Sequence, residues 1–173
     1  GSLLNEVNLV NAHIEGSALI GTHLNGANLT SILLGTSDLS YAHLNGANLE
    51  DANLNASILT FAMMSEANLT GADLSGTDLM EAVLNNAILV GANLTYADLS
   101  MAELSGADLT GANLSNTVLH FLDLTTVTFS TTDATTEFTE VANLTAANLS
   151  GVDLTGVDLT NVDLTGVKLV GAN

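Results

Sequence analysis

A chain of 173 residues has room for one ordinary domain, but its 47% of hydrophobic residues is unusual in kind: aromatics make up 3% and Trp is absent, so the apolar mass is Leu, Ala and Val, suited to small, evenly spaced gaps. One Lys or Arg stands against 19 Asp and Glu, a formal net charge of −18, which argues against direct nucleic-acid binding, where clustered basic side chains are needed, and points to a basic partner. The absence of Cys removes disulfides and thiolate metal sites, and no run approaches the roughly 18 consecutive apolar residues of a membrane span despite a mean hydropathy of +0.40.

The opening Gly1-Ser2 reads as a remnant of expression, with no signal peptide after it. From Leu4 onward the chain falls into fives. Of 34 central positions from 4 to 169, 29 are Leu, with Ile14, Met64 and Phe129 as conservative replacements, so one side chain per five residues faces a common interior. Two positions before nearly every centre the residue is small or β-branched, as at Ala42, Ala47, Ala52, Val152 and Val157, with Leu122 and Glu137 as the exceptions; Asn or Asp often intervenes, as at Asn28, Asn48 and Asp73. The two positions after the centre are mostly Ser, Thr, Asn or Gly.

A period of five fits neither common element. Five helical residues advance about 500° and would smear the leucines around the helix, and a strand alternates every two residues. A coil turning about 90° per pentad points every centre inward, with four pentads per turn and residue n beneath residue n+20. GTHLNGANLT at 21–30 and YAHLNGANLE at 41–50 are then vertical neighbours, which accounts for their near identity.

The motif ANLTG at 67–71, ADLSG at 72–76 and ADLTG at 107–111 resembles the A(D/N)LXX signature of the bacterial pentapeptide-repeat family, and the resemblance covers nearly the whole chain. It implies an all-β fold, a right-handed quadrilateral β-helix of four pentapeptides per coil and about eight to nine coils, with residues 1–173 forming a single domain. Burying one Leu and one Ala yields roughly 2 to 4 kcal/mol, whereas ordering five residues costs about 5 to 10, so single coils are unstable and stability accrues between stacked neighbours. The stack is expected to be a rod on the order of 41 Å long.

With a uniform interior, specific information falls to the outward positions. Sorted modulo twenty, one corner column reads Gly21, Tyr41, Phe61, Glu81, Met101, Phe121 and Val141. The column before it holds Ile20, Met80 and His120, and the one after it His23, His43, Met63 and Val83. A contiguous strip of aromatic and Met side chains marks a protein contact, and the candidate interaction residues are Tyr41, Phe61, Met63, Met80, Met101, Phe121, His23 and His43.

His23 and His43 stack under the twenty-residue period, but a metal wants three or four ligands and Leu3 and Met63 lie on either side, so no metal or cofactor is expected. Asp78 with Asp98, Asp133 with Asp153, and the run Asp153, Asp158, Asp163 place carboxylates side by side on a convex surface, without the dry cleft that acid–base catalysis requires. No nucleophile–base set, phosphate-cradling loop or zinc spacing is present, so an enzyme is not expected.

The register fails once, in TTDATTEFTE at 131–140, so residues 130–141 form an irregular segment. Fifteen residues separate Phe129 from Leu144, which suggests three sides replaced in place, with Phe138 one residue early and tucked inward as at a bulge. Leu3, Leu4 and Leu9 begin the core at once and Leu169 nearly ends it; with no Pro or capping helix at either end, end-to-end association is a further expectation.

The functional expectation is a non-enzymatic acidic scaffold for protein–protein interaction, cytoplasmic, with an unidentified basic partner. The alternative that the family resemblance implies is a DNA mimic that occupies DNA gyrase. Eighteen net charges over about 41 Å approach the one per 1.7 Å of duplex DNA. Gyrase-directed members, however, resemble dimers with Phe at many centres, and Phe129 is the only central Phe here.

Overall fold

The computed structural model describes residues 1–129, 144–150, 152, 154, 157, 159 and 162–173. Parallel bridges join each residue before a centre to its counterpart twenty residues on: Leu3 to His23, His23 to His43, Asn8 to Asn28, Ala18 to Asp38. The chain therefore coils with four sides per turn. We number the sides by their first centres: Leu4 opens the first, Leu9 the second, Ile14 the third and Leu19 the fourth.

The local cause of the coil is a tight turn after every centre. At the corner between the fourth and first sides, Ala42 N–H donates to Leu39 C=O at 2.9 Å around Ser40 and Tyr41, and Tyr41 has φ 59°. A positive φ at the third residue of a four-residue turn is the type II geometry. The same position has positive φ at corner after corner; among the described residues 16 of these are not glycine, so the corners carry side chains in the left-handed region as a rule.

Four of the five N–H groups in a pentad are satisfied by backbone. Leu24 donates to His43 and Gly26 to Asn45 in the next coil, Ala27 closes its turn onto Leu24, and Asn28 donates back to Val7. The fifth N–H, on the residue just after the centre, has no backbone acceptor and falls to side chains. The Asn or Asp before the centre takes it: Asp38 Oδ1 accepts from Ser40 N–H at 3.0 Å, Asp73 from Ser75 at 3.1 Å, Asp98 from Ser100 at 2.8 Å. This gives the acidic position of the repeat its physical reason, since an unpaired N–H at a corner is costly.

The interior is two-tiered. Leu29, Leu44, Leu54 and Leu74 are fully buried, and Ala42, Ala47, Ala52 and Ala72 fill the narrower space beside them. Burying each Leu contributes about 2 kcal/mol. On the fourth side the small tier is hydroxylic except at Ala97: Thr77 Oγ1 donates to Leu54 C=O at 3.1 Å and Thr117 Oγ1 to Leu94 C=O at 2.9 Å, one coil below. Towards the ends the burial fades. Leu3, at 75% exposure, points outward rather than beginning the core, because it precedes the centre and stands in the outward column of His23.

The expectation that three sides are replaced in place between Phe129 and Leu144 is corrected. Asp123 bridges to Asn148 and Leu124 donates to Asn148 at 2.9 Å, a vertical step of 25 residues between bridge partners where the other steps are 20. Phe129 stacks over Leu109 on the second side, since Asp108 bridges to Thr128, and Leu144 follows on the fourth. Two quarter-turns thus take fifteen residues instead of ten, an insertion of five. Residues 130–143, with the irregular segment, Phe138 and Val141, lie outside the described residues, as do Asp133, Asp153 and Asp158. Beyond the insertion the columns shift phase, so Ala146, not Val141, continues the column of Phe121.

Candidate interaction surface

The outward residues at the corner between the fourth and first sides come together as the columns require. Tyr41 and Phe61 stack with ring centroids 4.9 Å apart and planes 5° apart, one coil above the other. Met101 and Phe121 continue the column, and Glu81 stands between Phe61 and Met101. Tyr41, Phe61, Met63, Met80, Met101 and Phe121 are all exposed. His120 meets Phe121 edge-on at 6.2 Å.

Tyr41, Phe61, Met101 and Phe121 all hold φ of 59–60°. For bulky side chains this region costs about 1 kcal/mol or more per residue relative to glycine, which stands free of that cost at Gly21 in the same column. Strained, bulky and solvent-facing residues in one file are poorly explained by the stability of the coil.

The adjoining column on the first side runs Leu3, His23, His43, Met63, Val83 and Glu103 through successive bridges. His23 and His43 stack at 4.2 Å with planes 13° apart, so their rings lie parallel. Among the described residues no three His, Asp or Glu side chains converge on a metal position, and no helix is long and apolar enough to cross a membrane.

This column contains no Asn or Asp from Leu3 to Val83, so it does not cap its corner N–H groups. The task passes to a file of Asn at the next corner. Asn5 Oδ1 accepts from Asn25 N–H, Asn25 Oδ1 from Asn45 N–H and Asn45 Oδ1 from Ser65 N–H, each at 3.1 Å, and Asn85 Oδ1 accepts from Ser105 N–H at 3.0 Å. The second and third sides keep the ordinary arrangement, with Asn28, Asn48, Asn68, Asn53, Asp73 and Asn93 capping their own corners. The first side is thereby released from the repeat's own hydrogen-bonding demand, and its outward column holds His, Met and Val.

Carboxylates border the strip. Asp78 and Asp98 bridge to one another on the fourth side, Glu81 lies within the corner column, and Glu103, exposed, accepts from Asn85 Nδ2 at 2.9 Å on the first side. Lys168 is the chain's single Lys or Arg and lies above Asn148, beyond the coils that carry the strip, so these carboxylates have no Lys or Arg beside them. Elsewhere, Asp163 is held below the usual 3.8 by the Thr165 hydroxyl and N–H, which donate to Oδ1 at 2.6 and 2.9 Å.

Exposed apolar residues outside these columns include Tyr96 at 69%, Ile58, Ile88 and Val10. Tyr96 occupies the corner between the third and fourth sides, in the file Gly16, Thr36, Ala56, Gly76 and Asn116, where its contrast with small neighbours was the available signal. Ile58 precedes its centre on the fourth side, between Asp38 and Asp78, and borders the strip.

The family described as pentapeptide repeats matches in 8 copies, over residues 1–31, 37–71, 62–100, 72–111, 92–130 and 142–173. Among solved structures, HetL, a pentapeptide repeat protein involved in heterocyst differentiation regulation from the cyanobacterium Nostoc sp. strain PCC 7120, is 30% identical, covering 98% of this chain and 87% of HetL with a TM-score of 0.36. A pentapeptide repeat protein of the Arabidopsis thaliana thylakoid lumen is 33% identical over 59% of this chain and 68% of its own, with a TM-score of 0.46. Trypsin-treated QnrB1, a plasmid-mediated fluoroquinolone resistance protein, shares the fold at a TM-score of 0.74 over 100% of this chain and 91% of QnrB1, at 19% identity. No curated protein matches. The architecture of these solved relatives is the right-handed quadrilateral β-helix.

Proposed function

The chain belongs to the pentapeptide-repeat family, and from that premise and the character of its exterior we propose that it is a non-enzymatic scaffold that holds a basic protein partner on the corner between its fourth and first sides. The observation that carries this reading is the file of exposed, left-handed Tyr41, Phe61, Met101 and Phe121, with Met63 and Met80 beside it, bordered by carboxylates. Aromatic and Met side chains at the centre of a patch with charges at its rim is the usual anatomy of a protein interface. A convex, repetitive exterior suits recognition rather than catalysis, which needs a water-excluding site to separate the pKa values of its acids and bases. The test is capture from a bacterial lysate by the wild type and by a Phe61→Ser, Phe121→Ser double variant. Proteins held by the first and released by the second support the reading; identical capture by both refutes it.

The charge density supports a second reading. Eighteen net charges over about 41 Å amount to one per roughly 2.3 Å, near that of duplex DNA, as a DNA mimic directed at gyrase would require. Inhibition of gyrase supercoiling would then weaken with salt, because complementary charges are screened beyond about 10 Å at 0.1 M. Absence of inhibition at low salt and micromolar protein removes this reading.

A further inference from the structure

We infer that the partner element seated on this corner is a basic amphipathic α-helix lying along the stack. The inference rests on the interface reading above and adds the conformation and charge of what docks. Successive coils present one corner side chain about every 4.8 Å, and the Tyr41 and Phe61 rings lie 4.9 Å apart.

A helix offers one apolar side chain per turn about every 5.4 Å, a mismatch of about 0.6 Å per coil. A strand offers one on the same face about every 6.6 Å, a mismatch of about 1.8 Å per coil. Across the four steps from Tyr41 to Phe121 the helix drifts by about 2.4 Å, which flexible side chains absorb, whereas the strand drifts by about 7 Å and is out by more than a coil. A helix of about 13 residues spans this distance.

The charges specify the rest. Glu81 interrupts the apolar file at its middle coil, so the helix needs a basic residue on its contact face at that turn and apolar residues on the turns to either side. Asp78 and Asp98 on one flank and Glu103 on the other call for basic residues along both edges of that face. The chain's only Lys or Arg, Lys168, lies coils away, so cations for these carboxylates must come from outside. The first side can receive the helix because the corner N–H groups of Asn45 and Ser65 are capped by Asn25 and Asn45, leaving His43 and Met63 free of capping.

The experiment uses two synthetic peptides of identical Leu and Arg composition, one with Leu at helical three- and four-residue spacing and one alternating Leu and Arg. The full chain contains two Tyr and no Trp, so the Tyr96→Phe variant reports Tyr41 emission alone. The helical peptide is expected to bind about tenfold tighter than the alternating one and to change Tyr41 emission, with Glu81→Lys weakening it about tenfold. Equal or tighter binding of the alternating peptide, lost in the Phe61→Ser, Phe121→Ser variant, overturns the helix while leaving the interface reading standing. Binding that this variant leaves unchanged, with its circular dichroism intact, overturns both. No binding of the helical peptide at low salt overturns the helix.

Discussion

Asn25 Oδ1 receives two hydrogen bonds from Asn45, one from its backbone N–H and one from its side-chain Nδ2, both at 3.1 Å. Asn45 in turn accepts from Ser65 N–H, so Asn25 and Asn45 each cap the coil above. The repeat ordinarily meets this need from the residue before its centre; here the file meets it from outside, and the neighbouring column is open to other side chains.

This substitution of one acceptor for another predicts a compensating pair. Asn45→Ala leaves Ser65 N–H without its acceptor and is expected to cost about 1 kcal/mol. Met63→Asn, made in the same chain, places an acceptor two residues before Ser65 as on the other sides, and recovers most of that loss. Urea denaturation of the two single variants and the double variant checks it: an additive double variant means that Asn45 and Met63 are not alternative capping positions.

The hydroxyl tier of the fourth side predicts changes of opposite sign. Ser57 Oγ is buried without a hydrogen-bond partner, so Ser57→Ala removes a desolvated polar atom and is expected to stabilise by about 0.5 kcal/mol. Thr77 Oγ1 is equally buried but bonded to Leu54 C=O, so Thr77→Ala is expected to cost about 1 to 2 kcal/mol. Thermal unfolding of both variants gives the comparison.

Inside and outside positions separate more widely. Leu54→Ala opens a cavity among fully buried residues and is expected to cost about 3 kcal/mol. Phe61→Ser removes an exposed ring that stacks on Tyr41 and whose backbone is strained, and is expected to stay within about 1 kcal/mol. Similar losses at both positions would contradict the outward placement of the corner file.

The acid side of the stability profile has one identifiable contributor. The Thr165 hydroxyl and N–H stabilise the Asp163 carboxylate and lower its folded-state pKa below the unfolded value near 3.8. Its contribution is therefore full above the unfolded value and is lost as pH falls through the folded one. Asp163→Asn keeps an oxygen acceptor but does not titrate. The difference in unfolding midpoint between wild type and this variant is expected to narrow or reverse towards about pH 2 to 3 compared with about pH 6. A constant difference would contradict the assignment.

Much of this molecule was legible in one dimension because its fold is local in a particular sense: described residues pair with residues about twenty away, and the same five-residue turn is used repeatedly. The period of Leu4, Leu9 and Leu24 was enough to fix the inward face, and sorting by twenty brought Tyr41 beside Phe61 and His23 beside His43 before any distance was known. Tertiary structure decided what depends on backbone hydrogen bonds between coils. The N–H after the centre that the backbone ladder leaves to side chains, as at Ser40 and Ser65, and hence the reason for Asp38 and the exchange between Met63 and Asn45, appears only once the other four donors have found acceptors. The step of 25 residues from Asp123 to Asn148 likewise could not be read from a register that merely fails and resumes, because fifteen residues fit three sides without insertion or two sides with five to spare, and only the pairing of the coils above and below distinguishes them.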